Sequence, residues 1–209
     1  MFKNRTTAGQ LLAEQLEHYG DKALVLAIPR GGVPVALIIA KMLHLPLALV
    51  LTKKIGHPNN KEVAIGAASL TDYFVTENSG VSEAYITAEV QKIRHRINEM
   101  KTTFQHDFTS FNIKNKTIIL VDDGLATGIT ALHTVQLLRK YNPKKILLAA
   151  PVASLSAVEM LQQVVDELVV LNVDSFFQAV GFYYEDFKEV TDAEVCKLLE
   201  DAEVNYTTL

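Results

Sequence analysis

Residues 117–130 have the sequence TIILVDDGLATGIT, which predicts both the fold and the site. The first five residues are β-branched or aliphatic, as in a strand buried in a parallel sheet. Asp122 and Asp123 follow that strand, and a loop of small and hydroxylated residues comes next. Apolar residues then recur at helical spacing over residues 131–138. Ligands of open α/β sheets bind beyond the carboxyl ends of the strands, so we expect the site at this strand–loop–helix junction.

The loop carries groups that bind phosphate. Its last residues supply backbone N–H groups at a helix N-terminus and two hydroxyl donors, and both favour an anion. Gly128 has no Cβ, so the backbone there can approach a ligand closely or adopt a positive φ. The candidate phosphate-binding residues are Ala126, Thr127, Gly128, Ile129 and Thr130.

The two acids predict a different task, because like charges keep carboxylates away from a phosphate. Carboxylate oxygens accept hydrogen bonds from sugar hydroxyls or bind hydrated Mg²⁺. A phosphate site with two such acceptors beside it is the pattern of a ribose 5-phosphate site. The alternative, that Asp122 and Asp123 only cap the helix, explains one acid and leaves the other unexplained, together with the Thr-Gly loop.

Residues 121–130 resemble the phosphoribosyl pyrophosphate motif of the type I phosphoribosyltransferases. The resemblance implies that Asp122 and Asp123 hold the ribose 2′- and 3′-hydroxyls and contact Mg²⁺ through water or the ribose. It also implies that the loop over 126–130 holds the 5′-phosphate. The expected activity is a Mg²⁺-dependent transfer of the phosphoribosyl group of phosphoribosyl pyrophosphate to a nitrogen nucleophile, with release of pyrophosphate.

Length and composition indicate one globular domain over residues 1–209. Hydrophobic residues make up 49% of the chain and charged residues 21%, which suits a single α/β core. The net charge of −4 does not favour a nucleic-acid partner. The single Cys196 permits no internal disulfide, and the sequence does not open like a signal peptide. Both features predict a cytoplasmic protein.

The apolar stretch over residues 33–51 is long enough to cross a membrane. Lys41, His44 and Pro46 interrupt it. We therefore expect a helix over 34–43 and a buried strand over 47–51, and no membrane partner.

A second strand–loop–helix junction follows the predicted strand over 23–28. Its loop carries Arg30, Gly31 and Gly32, and the planar guanidinium of Arg30 suits bidentate contact with phosphate oxygens. Taken alone, this loop also fits a tight turn with a solvated arginine. Residues 28–40 are similar, however, to the pyrophosphate loop of the type I phosphoribosyltransferases. The resemblance implies that these three residues bind pyrophosphate and that the Pro29–Arg30 peptide bond is cis.

Residues 53–62, KKIGHPNNKE, predict a cationic loop, because Gly, Pro and two Asn interrupt them. The position corresponds to the flexible lid of the type I phosphoribosyltransferases. That resemblance implies catalytic contacts from Lys53 and Lys54 to pyrophosphate. An ordinary solvated loop explains Lys61 and His57 equally well, and a metal role for His57 is rejected because no second ligand lies at a useful spacing.

The remaining pattern alternates strands and helices. Residues 63–76 predict a hairpin. Helices are expected over 4–19, 82–104 and 156–164, and strands over 144–152 and 167–173. Crossovers of this kind are right-handed, so the sequence predicts a three-layer, doubly wound, mainly parallel sheet, which is the type I phosphoribosyltransferase fold. Thr191 and Glu194 have capping-box spacing and predict a C-terminal helix.

The C-terminal part, about 174–209, corresponds to the hood that covers the acceptor base in type I phosphoribosyltransferases. Residues 176–187 are dense in aromatic side chains, which are seldom left on a surface without a use. The candidates for stacking on an acceptor ring are Phe176, Phe177, Phe182 and Tyr183. The alternative is that these rings fasten the C-terminal helix to the sheet.

The acceptor stays open. Phosphoribosyltransferases for 6-oxopurines carry an acid just before the Thr-Gly of the phosphate loop, where this sequence has Ala126, so that class is disfavoured. A second hypothesis is a non-catalytic sensor or regulator that binds phosphoribosyl pyrophosphate or a nucleotide. A phosphatase using Asp122 is poorer, because the Asp-x-Asp spacing is missing. A homo-oligomer, the usual assembly of soluble proteins, also stays open.

Overall fold

The computed structural model describes residues 1–19, 23–76, 79–104 and 112–206. The strands, in chain order, are β1 (Ala23–Ala27), β2 (Leu47–Leu49), β3 (Lys53–His57), β4 (Asn60–Ala68), β5 (Tyr73–Val75), β6 (Thr117–Val121), β7 (Lys145–Ser154) and β8 (Glu167–Asp174). The helices are α1 (Arg5–Gln15), α2 (Gly32–Leu43), α3 (Glu83–Phe104), α4 (Ile129–Arg139), α5 (Leu155–Leu161) and α6 (Asp192–Tyr206).

Five strands form one sheet in the order β2-β1-β6-β7-β8, and all neighbouring pairs are parallel. The aliphatic composition of β1, β6 and β7 explains their central places, because strands covered on both faces require apolar side chains on both. The strand order reverses between β1 and β6. Such a switch point opens a crevice at the carboxyl ends of the two strands, and the two loops predicted to bind the ligand begin there.

The core lies in two layers, one on each face of the sheet. Val25, Ile119 and Leu147 belong to the layer that α1, α2, α3 and α6 cover. The next residues along the same strands, such as Leu120 and Leu148, belong to the layer that α4 and α5 cover. Helices on both faces of a parallel sheet confirm the predicted three-layer, doubly wound architecture.

The prediction of a loop over residues 53–62 is wrong. Lys53–His57 is strand β3, which pairs antiparallel with β4, and β4 pairs with β5 in a separate three-stranded sheet. Ile55 and Gly56 are buried, and the register shifts at Gly56, where a Cβ would lie 2.7 Å from the Lys61 carbonyl oxygen. The glycine therefore marks a bulge inside a hairpin, and the turn itself is only residues 58–59. The hairpin predicted over 63–76 is confirmed as β4 and β5.

Most helix predictions are confirmed within a few residues. The seam of α3, including Val90, Ile93 and Ile97, is buried in the core. At the start of α6, the N–H of Thr191 donates to Glu194 at 2.7 Å and the N–H of Glu194 donates to the Thr191 hydroxyl at 3.2 Å, as a capping box requires.

The apolar stretch over 33–51 is divided between α2 and β2, as predicted. In the part of the chain that the structure describes, no helix combines the length and the apolar composition needed to cross a bilayer.

Candidate active site at the switch point

The loops after β1 and β6 pack directly on each other. A Cβ on Gly31 would lie 2.0 Å from Asp123 Oδ2, and a Cβ on Gly32 would lie 2.6 Å from the Val121 carbonyl oxygen. Both glycines are therefore required by close approach. The Pro29–Arg30 peptide bond is cis, as predicted. The arrangement brings the Arg-Gly-Gly loop against the paired acids.

The two acids are held by the protein at one oxygen each. Nε and Nη2 of Arg5 both donate to Asp123 Oδ2, at 2.8 Å. The N–H of Asp123 donates to Asp122 Oδ1 at 2.9 Å. Apart from the contact between the two carboxyl groups themselves, no described residue donates to Asp122 Oδ2 or Asp123 Oδ1. One oxygen of each carboxylate thus remains as an acceptor for a ligand.

Burial raises the pKa of both carboxyls, and that of Asp122 well above its usual range. The charge of Asp123 raises the pKa of Asp122 further, whereas Arg5 acts in the opposite direction on both. The buried pair therefore resists full ionisation, because two neighbouring carboxylates repel each other away from bulk water. A ligand with hydroxyl donors, or a cation, would relieve that repulsion.

This raised pKa gives a stability prediction for Asp122→Asn. A carboxyl whose folded-state pKa lies above its unfolded value contributes stability at low pH that is lost as the pH rises through the folded-state pKa. Asparagine does not ionise, so the variant does not lose this stability as the pH rises. Its amide oxygen can still accept a hydrogen bond from the Asp123 N–H. We expect its melting temperature at neutral pH to exceed that of the wild type by about 2–4 °C, equivalent to roughly 1 kcal/mol.

Calorimetric melting from pH 4 to pH 8 measures this effect. The difference between the variant and the wild type should grow with pH. A difference that shrinks over this range would contradict the raised pKa of Asp122.

The loop after β6 ends in Gly128, which has φ 70° and ψ −4° and precedes the first residue of α4. Leu161, Met160 and Ala157 surround the position where a Cβ would stand, within 3.1 Å, so glycine is favoured by both conformation and space. The loop is anchored from β7, since the Ser154 hydroxyl donates to the Ala126 carbonyl at 2.6 Å.

The outer side of the same loop is open. Ala126, Thr127 and Thr130 are exposed, Ile129 is half-buried, and Gly128 is buried. The N–H of Ile129 donates to the Thr127 hydroxyl only at a long 3.4 Å. The backbone N–H groups in the first turn of α4 are therefore available to bind an anion.

A cavity of about 410 Å³ lies beside the acids, and its lining includes Arg5, Arg30, Gly31 and Asp123. Arg30 is partly exposed and contacts the C-terminal segment, with Glu189 Oε1 at 2.6 Å and Asp192 Oδ1 at 3.5 Å. Exposed ion pairs of this kind contribute about 0–1 kcal/mol, so an anionic ligand can exchange for them.

The structure does not bring all sequence candidates to this cavity. Lys53 and Lys54 are absent from its lining and stand on β3, half-buried and exposed respectively. The residue before them, Thr52, shares a hydrogen bond of 2.9 Å with Thr134 of α4, so the start of β3 lies beside the helix that follows the paired acids.

The four candidate aromatic residues also lie outside this cavity. Phe176 and Phe182 are 87% and 67% exposed, and with Tyr183 they line a separate cavity of about 330 Å³. Phe177 stacks on Tyr183 with ring centroids 5.2 Å apart. The alternative, that these rings fasten the C-terminal helix to the sheet, is not confirmed either, because α6 packs on α2 and α3.

Other members of the aromatic run reach the acids. The buried Tyr184 donates its hydroxyl to the Asp123 carbonyl at 2.7 Å, and burial raises its pKa, so it remains a donor. Phe187 lies under the guanidinium of Arg5, with 3.9 Å from Cζ to the ring centroid. The composition of residues 176–187 indicated an aromatic cluster, but nothing in the sequence distinguished these two rings.

Arg5 was missed by the sequence reasoning for a similar reason. It is 118 residues from Asp123 along the chain and belongs to no motif. Residues 2–3 run beside residues 183–186, with Phe2 N–H donating to Tyr183 O at 2.7 Å and Asp186 N–H donating to Lys3 O at 3.0 Å. This pairing carries α1, and with it Arg5, to the site.

Comparison with known proteins agrees with this geometry. The sequence matches the phosphoribosyl transferase domain family over residues 4–186. It is 32% identical over 208 residues to a protein of Mycobacterium tuberculosis provisionally named a phosphoribosyl transferase, covering 97% of this chain and 47% of that protein. The chain thus spans about half the length of that relative.

The chain is also similar to proteins of two other organisms. A ribose-phosphate pyrophosphokinase of Pyrococcus furiosus is 26% identical over 197 residues, covering 78% of this chain and 71% of that protein. A crystal structure of a Thermus thermophilus protein superimposes with a TM-score of 0.85 at 35% identity, covering 96% of this chain and 98% of that one. The match over residues 4–186 includes both loops of the switch point, and on that basis the chain belongs to the phosphoribosyl transferase domain family.

Proposed function

We propose that this chain catalyses the Mg²⁺-dependent transfer of a phosphoribosyl group from phosphoribosyl pyrophosphate to a nitrogenous base or another nitrogen nucleophile, with release of pyrophosphate. One observation carries the proposal. The Arg-Gly-Gly loop and the paired acids are in direct contact at the switch point, where Gly31 abuts Asp123, and Arg30 lines the same cavity. A single ligand with both a ribose and a pyrophosphate group would contact both loops at once.

The reaction makes two electrostatic demands on the protein. As pyrophosphate leaves, C1′ gains positive charge and the departing oxygens gain negative charge. The protein must therefore hold the ribose in place and stabilise the leaving anion. One oxygen each of Asp122 and Asp123 would accept the ribose hydroxyls, and the open N-terminus of α4 would bind the 5′-phosphate.

The leaving group would be held by Arg30, whose exposed partners Glu189 and Asp192 are exchangeable. Lys53 and Lys54 remain our candidates for further contacts to pyrophosphate, because the start of β3 adjoins α4. The single cysteine suits a reducing, cytoplasmic setting.

The residues at the site fit Mg²⁺. Among the residues that the structure describes, no cluster of three or more His, Cys, Asp or Glu could bind a metal on its own. Asp122 and Asp123 offer two carboxylates, and Mg²⁺ is usually bound by one or two carboxylates together with phosphate oxygens and water. When bound, the ion would neutralise charge on the pyrophosphate oxygens.

The exposed Ala126 bears on the acceptor. It cannot exchange a proton with a base, so we favour an acceptor that needs no acid at this position, and the 6-oxopurines are disfavoured. The cavity lined by Phe176, Phe182 and Tyr183 is the alternative place for an aromatic ring.

A non-catalytic sensor of phosphoribosyl pyrophosphate or a nucleotide is the second candidate, and the β3–β4 hairpin favours it. Lys61 binds Glu89 of α3 at 2.8 Å, and Tyr85 of α3 donates to the Gly56 carbonyl at 2.8 Å. The segment that we expected to close as a lid is therefore fastened to α3. A sensor has no need of a cover that excludes water.

Pyrophosphate release separates the two candidates. The protein is incubated with Mg²⁺, phosphoribosyl pyrophosphate and each member of a panel of purine, pyrimidine and pyridine bases. We expect release that depends on one class of base. Calorimetric binding of phosphoribosyl pyrophosphate without release for any base would favour the sensor, and absence of binding would contradict both.

A further inference from the structure

Arg5 has an unusually complete set of contacts at the edge of the cavity. Its Nε and Nη2 donate to Asp123 Oδ2 at 2.8 Å, and its Nη1 donates to the Lys188 carbonyl at 2.8 Å. The guanidinium lies over the Phe187 ring at 3.9 Å. Only 11% of its side chain is exposed. All three guanidinium nitrogens have partners, so the head group is fixed in one orientation.

This contact fixes the carboxylate of Asp123. Two donors converge on Oδ2, while the backbone carbonyl of the same residue accepts the Tyr184 hydroxyl at 2.7 Å. Rotation of the carboxylate would break both bonds to Arg5. Oδ1 is then held in place as an acceptor to which no described N–H group or alcohol hydroxyl donates, and the carboxyl group of Asp122 is its neighbour.

We propose that Arg5 is a positioning residue for ribose binding. It anchors one oxygen of Asp123 so that the other accepts a ribose hydroxyl of the ligand. The inference rests on the proposed function, since it needs a ligand with a ribose group. Arg30 stands on the other loop and contacts Glu189 and Asp192 rather than Asp123, so we expect the pyrophosphate half of the ligand to depend much less on Arg5.

Two fragments of the ligand test this division. Ribose 5-phosphate and inorganic pyrophosphate are titrated separately, with Mg²⁺ present, into the wild type, Arg5→Met and Arg5→Lys. We expect Arg5→Met to lower the affinity for ribose 5-phosphate about tenfold or more, because the charge-assisted pair with Arg5 no longer fixes the Asp123 carboxylate. Pyrophosphate affinity should stay within about twofold. Arg5→Lys should recover part of the loss, since it keeps the charge but not the fork.

Lys3→Met is the matched control. Lys3 is an exposed cation two residues away, so the variant removes the same charge near the site without touching Asp123. Both affinities should remain those of the wild type. Once an acceptor is known, Arg5→Met should also raise the KM for phosphoribosyl pyrophosphate more than it lowers kcat.

Three results would overturn the inference. Equal losses for the two fragments would mean that Arg5 only supports the wall made by residues 187–190. Unchanged or tighter ribose 5-phosphate binding would mean that Arg5 competes with the ligand for Asp123. A wild type that binds neither fragment would instead remove the proposed function itself.

A second variant covers the case in which Arg5→Met does not fold, because loss of one member of a buried ion pair is destabilising. Phe187→Leu keeps the guanidinium and removes the ring beneath it. We expect the same selective loss of ribose 5-phosphate affinity, smaller in size. A loss shared equally by pyrophosphate would count against the positioning role.

Discussion

Replacing Asp123 by Asn is expected to lower kcat/KM for phosphoribosyl pyrophosphate about a hundredfold while the fold is retained. A hydrogen bond to a charged acceptor contributes about 1.5–3 kcal/mol, and about 1.4 kcal/mol is a factor of ten in rate. The geometry makes the loss severe. Because Arg5 directs two donors to one oxygen, the amide oxygen must face Arg5, and its NH₂ group then stands where the ribose needs an acceptor.

The chain provides a matched control for Asp123→Asn. Asp166 also pairs with an arginine, with Arg139 Nη1 at 2.8 Å from its Oδ2. It lies before β8, at the opposite end of the sheet from the paired acids. Asp166→Asn should reduce the melting temperature modestly, because its pair is more exposed, and leave kcat/KM unchanged. Pyrophosphate release measures kcat/KM, and a folded Asp123→Asn variant with wild-type turnover would show that the ribose does not contact this acid.

Gly31→Ala should lower the affinity for phosphoribosyl pyrophosphate more than tenfold, although it deletes no functional group. The added methyl would stand 2.0 Å from Asp123 Oδ2, so the carboxylate must leave Arg5 or the loop must move. Overpacking of this kind typically costs about 1–3 kcal/mol. The backbone itself accepts alanine, because Gly31 has φ −60° and ψ −34°. Calorimetric titration of phosphoribosyl pyrophosphate gives the affinity.

Gly80→Ala is the control for Gly31→Ala. Gly80 has φ 67°, and no atom lies within 4 Å of a Cβ built there. Its replacement should cost roughly 1 kcal/mol of stability through backbone strain and leave the affinity unchanged. If Gly31→Ala bound the ligand normally, the close contact between the two loops would have no role in recognition.

The sequence predicted the structure correctly where the pattern lies within one continuous segment. The aliphatic run before Asp122 and the glycine at 128 belong to one continuous segment, and their patterns predicted the strand, the loop and the helix. The parallel sheet followed from the alternation of such segments, because crossovers of one hand leave few arrangements.

The sequence was insufficient where the contact is distant. The partners of Asp123 are Arg5, 118 residues before it, and Tyr184, 61 residues after it, and neither position carries a motif. The prediction of a loop over residues 53–62 was wrong for another reason. Gly56 indicates a loop by composition, whereas in the structure it permits a bulge inside a hairpin, and composition alone does not distinguish the two.

The pairing of residues 2–3 with residues 183–186 has a consequence for biosynthesis. The acids of the site are synthesised by residue 123, but Arg5 gains its platform only after residue 187 has emerged from the ribosome. Capture of ribose 5-phosphate by stalled chains of increasing length would therefore begin only when residue 187 is outside the exit tunnel. Recognition of the sugar thus reports that residues 2–5 have met residues 183–187.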